Sequence, residues 1–157
     1  MILQEIIELI LGVTLYFFVA SAFYFKWRKM SLWVVVKALD MKIKNLVFGY
    51  AGFLSLLIVG AAFCFNKLFL IFGIGIAIVL ISISFVSILL CPIVLGSLIS
   101  RYMLFKDKGI VTHANTLLAV LFIGVVSYVP YLGAFLLFSL FAYVLALVSK
   151  YISHSIF

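Results

Sequence analysis

The sequence predicts an all-α integral membrane protein, a single polytopic domain over residues 1–157 built as a bundle of about five transmembrane helices plus one amphipathic interfacial helix. Three observations predict it. Of the 157 residues, 69% are hydrophobic and only 10% are charged, whereas a soluble chain carries roughly 25% charged residues and could not hide so much apolar surface. Runs such as LFLIFGIGIAIVLI are apolar on every face; barrel strands alternate apolar with polar residues, so helices are the form that satisfies this backbone in lipid. The Lys and Arg residues flank the apolar runs, where they set orientation.

The first span is expected at about 6–24, a length that matches the hydrocarbon core. Glu5 and Glu8 precede it and the basic cluster KWRKM follows it. A signal peptide carries its positive charge before its apolar core, so this run reads as a retained span.

Residues 31–45, SLWVVVKALDMKIKN, are too charged to span but are patterned. Leu32, Val36, Leu39 and Ile43 repeat at helical spacing on one face, and Trp33, Lys37, Asp40 and Lys44 do so on another. The pattern predicts a helix in the headgroup layer, with Asp40 and Lys44 paired at i, i+4.

The second span is expected at about 46–65, with a tight turn at Asn66-Lys67. The third begins at residue 68 and stays apolar to Ser100, too long for one crossing. Proline removes a backbone donor and clashes with the preceding turn, so Pro92 is expected to kink or end this span near residue 91. The piece PIVLGSLIS then leads out to Arg101, along the surface or as a tilted helix end.

Between Gly109 and Ser149, His113 is the only His, Lys, Arg, Asp or Glu. One straight helix over that stretch would be about 60 Å long, twice the roughly 30 Å core. Length therefore predicts two spans, about 110–129 and 131–149, folded back at the turn VPYLG with Pro130 and Gly133 as its hinge residues. Tyr128 and Tyr131 suit an interface. Full crossing is the expected form and a re-entrant loop the alternative.

Charge agrees with this path. With the N-terminus outside and the C-terminus inside, Lys26, Arg28, Lys29, Lys37, Lys42, Lys44, Arg101, Lys106, Lys108 and Lys150 all fall inside. Only Lys67 of the eleven Lys and Arg residues remains outside. The net charge of +7 is accordingly assigned to topology and to anionic lipid, with no nucleic-acid partner. Lys26, Arg28, Lys29, Lys37, Lys44, Arg101, Lys106 and Lys108 are the candidate contacts for lipid headgroups or a partner.

Chemistry has few footholds. No charged residue falls at a predicted midplane, which counts against a proton-coupled carrier or an ion pump. There is no HExxH, no Cys pair at ligand spacing and no Gly-rich phosphate loop, so no catalytic, metal or cofactor residue is assigned and no cofactor is expected. Cys64 and Cys91 lie within spans, which argues against a disulfide framework. His113 reads as part of a helix start capped by Thr112.

Small residues are the more telling feature. Gly49 and Gly52, Gly60 and Cys64, Gly73 and Gly75, and Gly96 and Ser100 lie at spacings that let helices approach closely in lipid, and several point away from any single seam. The expected function is a non-catalytic accessory or scaffold subunit of a larger membrane complex, with other membrane subunits and anionic lipids as partners. A small oligomeric channel or transporter, lined by the proline breaks and by Ser82, Ser84 and Ser87, is the second reading. Lipid binding or membrane shaping through 31–45 is the third.

Overall fold

A computed structural model describes residues 2–40, 42–65, 70–102 and 113–156. Six helices follow one another: α1 (Ile2–Lys26), α2 (Arg28–Leu39), α3 (Ile43–Phe65), α4 (Leu70–Tyr102), α5 (His113–Ser127) and α6 (Leu132–Ile156). Among the described residues there is no strand. α1, α3, α4 and α6 are long and apolar enough to cross a membrane, and α5 is apolar but only 15 residues long. The protein is an all-α membrane bundle.

Side-chain contacts fix how the helices run. Tyr50 and Ser139 share a hydrogen bond of 2.7 Å, and Gly49 lies against the backbone of Ala142, so α3 and α6 are antiparallel. The His113 ring sits beside Phe17 and Phe25, while Gly124 meets Leu9 and Val13, so α5 runs antiparallel to α1. One end of the bundle therefore carries Lys26, α2, Lys44, Arg101 and Lys150. The other carries Glu8, which lines a surface hollow together with Tyr128. The chain does fold back between α5 and α6, at the end opposite the lysines.

That turn is built as the sequence predicts. The amides of Tyr128 and Val129 reach back to Val125 and Val126 at 3.2 and 3.0 Å, closing α5 ahead of Pro130. Tyr131 then takes a left-handed backbone at φ 60° and is 90% exposed. A non-glycine residue there costs about 1–2 kcal/mol. Two residues on, Gly133 passes so close to the Val126 carbonyl that a side chain would collide with it.

α4 is the hub and touches all five other helices. The expected third span of about 68–91 does not stop at Pro92; of the two expected continuations the chain takes the helical one. α4 continues through Pro92 as one helix of 33 residues, about 50 Å at 1.5 Å per residue. Its second half is what the other helices bury: Leu90, Ile93 and Val94 pack with Val34 and Val35 of α2 and Val144 and Val148 of α6. The helix survives its proline through a long-range donor. Pro92 has no N–H for the Ile88 carbonyl, and the Tyr16 hydroxyl of α1 donates to that carbonyl at 2.5 Å.

The helix expected at 31–45 is also corrected. It covers Arg28–Leu39 rather than 31–45, and Lys44 already belongs to α3. Asp40 and Lys44 therefore do not share a helix, and the expected i, i+4 pair has no basis. Its protein-facing side is a different row from the apolar one. Ser31, Val34, Val35 and Ala38 face the bundle, while Leu32, Val36 and Ile43 are exposed. The chain bends into α2 at Trp27 without losing its ladder, since Trp27 N bonds Phe23 O at 2.9 Å and Ser31 N bonds Trp27 O at 3.0 Å.

The remaining boundaries shift modestly: the expected 6–24, 46–65 and 131–149 become 2–26, 43–65 and 132–156, and the expected 110–129 ends at 127, with residues 110–112 outside those described. The Asn66-Lys67 turn, the Thr112 cap, Lys106 and Lys108 lie outside the described residues.

Candidate functional site

The C-terminal end of α2 organises the basic end of the bundle. The last carbonyls of a helix lack intrahelical donors, and two come from distant helices. Tyr143 of α6 donates its hydroxyl to Ala38 O at 3.2 Å, and Arg101 of α4 donates Nη1 to Leu39 O at 3.0 Å. The guanidinium also places a positive charge at the negative end of the α2 dipole. The buried row Ser31, Val34, Val35 and Ala38 packs α2 on the bundle, and these caps fasten its end.

Beside that end lies a cleft of about 610 Å³. Trp33, Lys37 and Asp40 come from α2 and the turn after it, Lys42, Lys44 and Asn45 from the start of α3, and Lys150, Ser153 and His154 from α6. Four lysines and a histidine thus converge around a single carboxylate, and the N-terminal dipole of α3 adds to the positive potential. Asn45 is only 3% exposed, and its side-chain oxygen accepts from the Lys150 ammonium. Lys150 also lies 5.6 Å from the centre of the Phe48 ring, and Lys37 lies 5.9 Å from the Trp33 ring, which packs edge-on against Tyr151. The Lys37 and Lys150 ammonium groups are thus each held beside an aromatic ring, and Lys150 is tied to Asn45 as well.

An apolar groove of about 420 Å³ adjoins the cleft, running between α3, α4 and α6 past Phe48, Gly52, Phe53, Leu80, Ile83 and Leu145. Lys150 and Ser153 line both cavities. The basic opening and the greasy channel meet at that pair of residues.

The basic residues singled out in the sequence do not form one patch. Lys37 and Lys44 enter the cleft, Arg101 is committed to capping α2, and Lys26, Arg28 and Lys29 are exposed at the far end of α2. Lys150 and His154 join the cleft although the sequence assigned them no site. Their spacing with Ser153, at i, i+3 and i+4, places them on one helix face, but which helix they meet is a tertiary fact.

The small residues divide in the same way. Gly49 lies against the Ala142 carbonyl, and a side chain on Gly96 would come within 2.6 Å of the Asn115 carbonyl oxygen. Gly73 and Ser100 are buried, and the Ser100 hydroxyl has no hydrogen-bond partner. Gly52 and Gly75 instead face open space. The surroundings of Gly60 and Cys64 lie outside the described residues. Ser82 and Ser87 return their hydroxyls to the carbonyls four residues back, each at 2.8 Å. The chain matches no protein-family model, no curated protein and no solved structure.

Proposed function

We propose that the protein is a non-catalytic accessory or scaffold subunit of a larger membrane assembly, oriented with its basic end and C-terminus on the cytoplasmic side and its N-terminus outside. One observation supports the reading above the rest: beyond their seams with α6 and with each other, the third helix and the first half of the fourth leave most of their apolar surface uncovered by the chain's own fold. Only 6% of the apolar window of α3 is buried. In α4, Ile71, Ile74, Ile78 and Val79 are exposed around Gly75, where a side chain would meet nothing within 4 Å. Lipid gives helices no hydrophobic drive to associate, so a small residue on an open face is where another helix gains close packing. The asymmetry of charge supports the orientation.

Purification from the native membrane in a mild detergent tests it. A second membrane protein is expected to copurify in fixed proportion and to be lost on Gly75→Leu, with the variant still folded by circular dichroism. A monodisperse monomer in every detergent tried would overturn the reading.

A further inference from the structure

We propose that the basic cleft and the apolar groove form one binding site for a single acidic phospholipid, its phosphate-bearing headgroup among the lysines and one acyl chain along the groove. The site stands apart from the scaffold reading, and either can fail without the other.

The two halves match the two ends of such a molecule. Lys37, Lys42, Lys44 and Lys150 face an opening that holds one carboxylate, Asp40, so the cleft favours an anion. The N-terminus of α3 supplies the oriented backbone end that commonly receives phosphate. The groove offers almost nothing polar: its walls are aromatic and aliphatic side chains with Ser55, Ser149 and Ser153 at intervals. Along α3 it extends from Phe48 to Ser55, about 10 Å of helix rise leading away from the basic end. Gly52 leaves room in its wall, since nothing stands within 4 Å of where a side chain would project. A soluble phosphate would use the cleft and leave the groove empty; an acidic protein segment would do the same. Only an amphiphile with an anionic head uses both, and Lys150 and Ser153 sit where head and chain join.

The test is a titration of the purified full chain, in mild detergent, with phosphatidylglycerol or with phosphatidylcholine of identical acyl chains, read as lipid adducts by native mass spectrometry. A preference for phosphatidylglycerol of about tenfold or more is expected from two or more lysines near the headgroup. The double variant Lys37→Gln, Lys44→Gln, which leaves the Asn45–Lys150 contact intact, should lose most of that preference. The double variant Lys26→Gln, Arg28→Gln lies outside the cleft and should keep it. Gly52→Leu fills the groove and should weaken long-chain phosphatidylglycerol several-fold while leaving a dihexanoyl analogue unchanged. Equal retention of both lipids overturns the proposal. So does equal loss in the two charge variants, which would mean diffuse surface attraction. Competition by inorganic phosphate at comparable concentration would reassign the cleft to a free anion and likewise overturn the lipid site.

Discussion

The hydroxyl of Tyr16 donates to the carbonyl oxygen of Ile88 at 2.5 Å, across 72 positions of sequence, and so occupies the acceptor that Pro92 leaves without a helical donor. In the hydrocarbon core a backbone group freed by proline needs a new partner, and a side chain from a neighbouring helix is one way to supply it. The contact explains why α4 runs through Pro92 and ties α1 to the hub of the bundle.

Tyr16→Phe should therefore cost about 1–3 kcal/mol, the penalty for a carbonyl left unpaired where hydrocarbon rather than water surrounds it. Pro92→Ala restores the amide that can serve Ile88, and in that background the same Tyr16→Phe change should cost much less. A double-mutant cycle on detergent-unfolding midpoints should give a coupling of roughly 0.5–3 kcal/mol. Additive effects would mean that the hydroxyl does not compensate for the proline.

The two α3 glycines should separate sharply. A methyl group at Gly49 meets the Ala142 carbonyl, so Gly49→Ala should destabilise by about 1–3 kcal/mol, as overpacking does. Gly52 has open space around it, and Gly52→Ala should stay within about 0.5 kcal/mol of the parent. Thermal unfolding of both variants in one detergent makes the comparison, and similar losses would contradict the α3–α6 packing.

Accessibility labelling tests the orientation. In a chain carrying Cys64→Ala and Cys91→Ala, single substitutions Lys42→Cys and Ser153→Cys should react with impermeant maleimide only from the cytoplasmic side. Tyr131→Cys should react only from the opposite side. Reaction of positions 131 and 153 from one side would remove the crossing hairpin, and silence at 131 from both sides would make the hairpin re-entrant.

What the sequence could reveal follows from what lipid does to the usual signals. The apolar runs and the Pro130 turn were legible because bilayer thickness and backbone satisfaction act on any chain in the same way. The fate of Pro92 was not, because it depends on Tyr16 in a different helix. The end of α2 was not legible either: 31–45 reads as one helix, yet α2 is Arg28–Leu39 and Lys44 belongs to α3. In water the greasiest face turns inward, whereas here Leu32 and Val36 face outward and the small row Ser31, Val34, Val35 and Ala38 packs on protein. Size, rather than polarity, distinguishes a protein-facing side in a membrane. The cleft was half legible: Lys37 and Lys44 were recognised as basic contacts, while Lys150 and His154 arrive only once α6 is folded against α3.

The clamp on the end of α2 has a consequence for handling the protein. Because Arg101 and Tyr143 meet the Leu39 and Ala38 carbonyls from two different spanning helices, α2 should keep its place, rather than swing free like a paddle, when the bilayer is removed. Whatever occupies the space beside it finds walls already set, loses little ordering entropy on arrival, and should travel with the protein through solubilisation.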